Sequence, residues 1–384
     1  MPVPRRWVAP TAFTLAAVVA VAGGTYLLTQ PHGAPSGHAG PAGTVALTAK
    51  LDGCARPNGT VEAGNRTFAV TNTSTRSLEL ALAGPDGAVY AELDALAPQA
   101  TRLLRVALGS GEYRFECYFA ETDAVSGPAF RVPGDAPRGP AVVPTSTQDL
   151  TPATLDYQKW VGARLPALRD AVAALAAAEG VDAQRVAWRA AHRLYETLGA
   201  AYDAFGAWDG KINGRRTTGD ATGFHAIEAA LWAPAPSVPS ALERTLVRDV
   251  DGLLADYPSL AVDPLQIGLR AHEITENTIE FTLTGADDAG SHTGFDIARA
   301  NLEGTRRVLD ALNPVLTGRY ARLAETRTAL DRADAVCADL AGRFPDVPLS
   351  TIPLADRQRL TTAFGGLVEL LAPIAAIADV RRTK

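Results

Sequence analysis

From Thr44 to about Val132 the apolar and polar positions alternate with a period of two. Short runs such as "TVALTAKL", "RTFAVTN", "SLELALAG", "AVYAEL", "TRLLRVAL" and "GEYRFECYF" are broken by Gly, Asn, Pro and Ser. Several short strands at this spacing predict a β-sandwich over residues 44–133. Residues 134–150 are Pro-rich and aperiodic and read as a linker. Beyond them the period changes to 3.6. A first helix is expected from Thr151, with Thr as cap and Pro152 in the first turn, ending at Gly180. Further long amphipathic runs follow with short connections, which predicts an all-α helical bundle over 151–384. The fold class is therefore multidomain β + α.

Composition changes this picture little. Of 384 residues, 47% are hydrophobic and 20% charged, enough apolar sequence for two cores. The net charge of −6 argues against a nucleic-acid binder that works by neutralising phosphates. The N-terminus says more. Arg5 and Arg6 precede an uncharged stretch, Val8 to Thr29, about one bilayer span in length, and Ala20-Val21-Ala22 within it suits a small-residue cleavage site. Residues 1–30 read as a signal peptide or a signal anchor, and 31–43 as a linker whose His32 and His38 are solvated. The expectation is an exported, extracytoplasmic protein of the periplasm or cell envelope, in contact with the membrane through its N-terminal segment. In an oxidising compartment Cys54 and Cys117, which bracket the β module, are expected to form a disulfide. Cys337, in a helical pattern, is expected to be a free buried thiol.

The residue pattern with most chemistry in it is "GFHAIEAALW", 223–232, where His225 and Glu228 fall three apart in an otherwise apolar run. That spacing puts both on one helix face, the way bundles present metal ligands. Glu196 in "RLYETLG" and Asp249 in "LVRDVDG" are further carboxylates within apolar stripes. A Glu196/His225/Glu228/Asp249 set, oxygen-rich with one nitrogen, suits iron or manganese better than copper, with zinc an alternative. The plainer reading of His-x-x-Glu is a half-buried ion pair. "RAHEITENTIEF" spaces His272 and Glu276 by four, with Glu273 and Glu280 nearby, and "DDAGSHTGF" holds Asp287, Asp288 and His292 before a helix. These read as a solvated face and a capping loop, or as a second ion site. There is no His-Glu-x-x-His, no phosphate-binding Gly-rich loop and no assembled Ser-His-Asp triad, so no catalytic constellation is evident. In the β region Glu79, Glu92, Cys54 and Cys117 form a secondary candidate metal set. That region has no His, which excludes a blue-copper site.

Three blocks in order, "AWRAAHRLYETLGAAYDAFGAWDGKINGR", "TGFHAIEAALW" and "AHEITENTIEF…GSHTGFDIARANLEGTRRVLDAL", resemble the imelysin family. With the preceding β module, which resembles a cupredoxin-like domain, the chain from about 45 to 380 resembles EfeO-like iron-uptake components. The resemblance implies a helical domain whose His225–Glu228 pair is the core of a metal site, with Glu196 and Asp249 as residue-level matches for further ligands. It also implies iron, ferric or ferrous, as cargo, copper or zinc as alternatives, and an iron permease and a haem peroxidase-like component as partners. The second Glu of the family's Leu-Glu-x-Glu pattern is Ala81 here, which weakens a metal site in the β domain. The alternative implied by the family name is an extracytoplasmic metallopeptidase.

Overall fold

The computed structural model describes residues 44–215 and 220–380. The expectations for residues 1–30 and 31–43 lie outside the described residues.

The β domain has eight strands: β1 (Thr44–Ala49), β2 (Gly64–Asn72), β3 (Leu78–Ala83), β4 (Val89–Leu96), β5 (Thr101–Leu108), β6 (Gly111–Phe119), β7 (Val125–Ser126) and β8 (Phe130–Val132). They form one sheet in the order β1-β2-β5 and a second in the order β4-β3-β6-β7, with β8 also on β6. β1 runs parallel to β2; the other pairs are antiparallel. Side chains alternate across each strand, so one face of each sheet supplies a shared core that includes Leu47, Phe68, Val70 and Leu104 from one sheet and Leu80, Phe115 and Cys117 from the other. Phe68 and Phe115 meet edge to face at 5.3 Å. Cys54 and Cys117 are disulfide-bonded inside this core, and Cys337 is a buried free thiol.

The same alternation separates the secondary candidate metal set. Glu79 and Glu92 are exposed on the outer face of their sheet, where they border a shallow cavity with Asp94 and Asp379. Cys117 pairs in register with Leu80 on the inner face and is already bonded to Cys54. The sheet stands between the carboxylates and the sulfurs.

Residues 136–142 are laid against the sandwich. Val89 and Val142 exchange backbone hydrogen bonds at 2.7 and 2.9 Å, and Ser110 N donates to Ala136 O at 2.8 Å. The first helix begins at Thr147, four residues earlier than its apolar pattern suggests, because Ser146 and Asp149 form a reciprocal capping box. Helices α1 (Thr147–Ala177), α2 (Val181–Glu196), α3 (Tyr202–Phe205), α4 (Ala207–Ile212), α5 (Gly223–Leu231), α6 (Ser240–Asp256), α7 (Ile267–Asn277), α8 (Gly294–Leu316), α9 (Leu323–Arg343) and α10 (Leu354–Ala378) complete the chain. α1 buries Leu150, Tyr157, Val161, Leu165, Leu168, Val172 and Leu175, a stripe at intervals of three, four and seven, against α2, α6 and α8. The architecture is thus an N-terminal β-sheet domain followed by a helical bundle.

The expected membrane contact through the N-terminal segment needs correction. Among the described residues the helix long and apolar enough to cross a membrane is α10, near the C-terminus. Its apolarity has a local reason: Leu360, Phe364, Leu367, Leu371 and Ile374 are buried in the bundle core, and α10 packs on α7 and α9.

The disulfide closes a sequence separation of 63 residues. In the chain-entropy model such a closure stabilises by about 4 kcal/mol. We predict that Cys54→Ala/Cys117→Ala lowers the unfolding midpoint of the β domain and leaves the helical signal at its wild-type midpoint. Calorimetry with circular dichroism checks this; an unchanged β-domain midpoint would refute it.

Candidate functional site

Helix α2 buries Trp188, Ala191, His192, Tyr195 and Glu196, so His192 and Glu196 stand one turn apart on its inner face. His192 Nε2 lies 3.1 Å from Glu196 Oε1 and 3.1 Å from Asn213 Oδ1. Asn213, immediately after α4, donates its Nδ2 to Glu196 Oε1 at 2.7 Å. Asn301 of α8, its amide oriented by its neighbours, donates to Glu196 Oε2 at 3.2 Å and accepts from Thr278 Oγ1 at 3.1 Å. Burial by itself pushes the Glu196 carboxyl up. The hydrogen bond and charge of His192, with the charges of Arg215 and His225, outweigh it and hold the group down to about 2.

Helix α5 brings the second histidine to the first. Gly223 opens it at φ +50°, and a Cβ there would collide with the backbone of Ile212, so only glycine lets α5 lie this close to the end of α4. Trp188 Nε1 donates to Phe224 O at 2.9 Å and ties α2 to α5. The His192 and His225 rings then stand nearly perpendicular with centroids 5.4 Å apart. His225 Nδ1 faces Glu228 Oε2 at 3.3 Å. An ionised carboxylate accepts only, so this contact favours the tautomer in which Nδ1 carries the proton, leaving the lone pair of a neutral ring on Nε2.

The other Glu228 oxygen holds a loop. Oε1 accepts from Ala289 N at 3.1 Å, Ser291 N at 3.2 Å and Ser291 Oγ at 2.5 Å. This docks residues 285–293 over α5. Asp288 accepts from Gly290 N, His292 N and His292 Nδ1, at 2.7, 3.1 and 2.9 Å; burial raises its carboxyl, and these bonds pull it below its ordinary value. Asp287 accepts from Thr282 Oγ1 at 3.1 Å. Thr282 closes a π-helical turn, Thr278–Thr282, that continues α7, a distortion common at functional sites. Burial raises the Asp287 carboxyl.

His192, His225, Glu228, Asp287, Asp288 and Ser291 help to line a cavity of about 20 Å³, room for about one water-sized occupant. His192 Nδ1 and His225 Nε2 are buried, and neither has a hydrogen-bond partner among the described residues. Beside it lies a larger cavity of about 280 Å³, bordered by Glu196, Asp203, Asp209, Arg215, Arg270 and Glu273 among others. Tyr195 donates to Asp209 Oδ1 at 2.6 Å, while burial pushes the Asp209 carboxyl up.

The four-residue set expected from sequence is therefore not gathered as a set. Glu196, His225 and Glu228 come from neighbouring helices around the two cavities. Asp249 is buried on α6, is paired to Arg248 at 3.1 Å, and borders neither cavity. Among the described residues no three His, Cys, Asp or Glu side chains converge as a ready-made metal cluster. His272 and Glu276 form their own pair at 3.5 Å. The residue missed by sequence reasoning is His192, although "HRLYE" places it four before Glu196 on the same helix face. Asp287 and Asp288, read from sequence as a loop, border the histidine cavity.

No family model matches the chain. Relatives do. An Efem/EfeO family lipoprotein of Staphylococcus haemolyticus is 23% identical over 252 residues, 60% of this chain and 85% of that protein. The iron uptake system component EfeO of Escherichia coli strain K12 is 24% identical over 340 residues, 83% of this chain and 87% of that protein, and EfeO of Shigella flexneri matches to the same extent. The chain is homologous over most of its length to EfeO-family iron-uptake proteins.

The two roles of Glu228 are separable. In Glu228→Gln the amide oxygen can still accept from the loop, while the amide nitrogen donates to His225 Nδ1 and moves the ring proton to Nε2. We predict that this variant keeps slow exchange at the Ala289 and Ser291 amides but shows the other His225 tautomer by nitrogen NMR. Glu228→Ala should release the loop and cost about 1–3 kcal/mol for each buried donor left unpaired. Retained amide protection in Glu228→Ala would contradict the docking role.

Proposed function

We propose that the chain is an extracytoplasmic iron-uptake component of the EfeO type, which captures iron at the His192/His225 cavity and hands it to a membrane permease. The observation that carries this reading is the pair of buried imidazole nitrogens, His192 Nδ1 and His225 Nε2, without partners among the described residues, on two histidines that line one cavity of about 20 Å³. A buried polar atom without a partner is costly, and two at one small cavity fit an occupant that accepts both lone pairs. Each ring's other nitrogen is held by a glutamate, the second-sphere arrangement that fixes a ligating tautomer. Asp287 and Asp288 add oxygen donors at the cavity wall, a mixture of nitrogen and oxygen suited to iron. In this reading the first ligands are His192 and His225, Glu196 and Glu228 orient them, and Asp249 takes no part.

The EfeO names of the relatives support iron as the cargo, and the Cys54–Cys117 disulfide suits an extracytoplasmic location. The two-sheet domain is read as cupredoxin-like and the bundle as imelysin-type. The role is capture rather than catalysis; peptide cleavage by the purified protein that chelation abolishes would favour a metallopeptidase instead.

We predict that His192→Ala and His225→Ala each weaken iron binding at least about tenfold, roughly 1.4 kcal/mol, and that Asp249→Ala binds as wild type. Calorimetric titration with ferrous iron under anaerobic conditions, and with chelated ferric iron in air, measures this. Wild-type affinity in both histidine variants would refute the site.

A further inference from the structure

Helices α9 and α10 pack side by side and leave a groove of about 670 Å³ on the surface of the bundle. Its floor is apolar, with Ala329 and Val336 from α9 and Ala363, Gly366 and Leu370 from α10. Neither helix lines the two cavities of the candidate site. Only 33% of the most apolar stretch of α10 is buried, so the bundle core covers one face of this helix and leaves another bare. At its middle stand Gly365 and Gly366, where a Cβ would meet nothing within 4 Å. Glycine inside a helix destabilises it relative to alanine, and packing within the chain gives no return for that cost.

The rims of the groove are charged, and most of the charge is already paired. Arg322 is held by Glu325 at 2.7 and 2.8 Å, and Arg359 by Asp339 at 2.5 Å. Arg332 on the α9 rim and Glu369 on the α10 rim are exposed and have no partner among the described residues. A bilayer is a poor occupant, because these rim charges would have to leave water. A second copy of the chain is a good one, because symmetry supplies the complementary charge. In a two-fold pair whose axis runs along the groove, α9 of one copy lies over α10 of the other. Arg332 then faces Glu369 of the second copy, and the same contact is made twice. We propose that the α9–α10 groove is the contact surface of a reversible homodimer, closed by two reciprocal Arg332–Glu369 pairs, with Gly366 letting the helices approach closely. Rim charges fix register and partner more than they add affinity, so the dimer should be weak, dissociating in roughly the micromolar range.

Sedimentation of the full chain over a range of concentrations tests this. Wild type should pass from monomer to dimer across the micromolar range. Arg332→Glu and Glu369→Arg each set like charges against one another and should weaken association at least about tenfold. Neither residue has a partner within its own copy, so circular dichroism should show both variants folded. The double variant Arg332→Glu/Glu369→Arg restores opposite charges and should recover the dimer. Mixed together, the two single variants should pair with each other more tightly than either pairs with itself, and native mass spectrometry separates that heterodimer by mass. Gly366→Leu fills space that is open in the single copy, so it should fold and stay monomeric. A wild-type chain still monomeric at about 100 µM would overturn the proposal. So would a dimer indifferent to Gly366→Leu, which would be held by another surface, or a loss on charge reversal that neither the double variant nor the mixture recovers.

Discussion

The site depends on one carboxylate. Glu228 uses its two oxygens on different parts of the chain: one faces His225 within its own helix, and the other gathers three donors from a loop more than sixty residues later. Hydrogen bonds to a buried charge are worth roughly 1.5–3 kcal/mol each, so the loop is held as firmly as a packed element. Without that carboxylate, Asp287 and Asp288 would not be brought to the cavity and the His225 ring would have no fixed tautomer. Orienting the His225 ring and building the pocket are thus the work of the same side chain.

Around it the bundle repeats one device. On α2 a glutamate follows a histidine by four residues, and on α5 by three. Each pair fixes one ring nitrogen and leaves the other without a partner among the described residues. Gly223 allows the close approach of α5 to α4, the Trp188–Phe224 bond locks α2 to α5, and Asn213 bridges His192 to Glu196.

Much of the fold was legible in the sequence because periodicity is local. A period of two followed by 3.6 announces a β domain and then a bundle, and the His225–Glu228 spacing declares a shared helix face. The start of α1 was displaced because the capping box at Ser146 and Asp149 lies outside the apolar stripe. Asp249 shows why burial is a poor guide to convergence: it lies in an apolar stripe as expected, yet its partner is the neighbouring Arg248. Glu79 and Glu92 resemble co-ligands of Cys54 and Cys117 for one metal only until strand alternation puts the sheet between them. His192 carried a readable signal in its spacing to Glu196. The docked loop carried none, because its meaning resides in long-range hydrogen bonds to Glu228.

The central claim is that iron is held between the two histidines of the helical domain. Crystals soaked with iron and measured on both sides of the iron absorption edge test it most directly. The account predicts an anomalous peak within bonding distance of His192 Nδ1 and His225 Nε2. A peak on the outer face of the β domain at Glu79 and Glu92, with both histidines unligated, would contradict it.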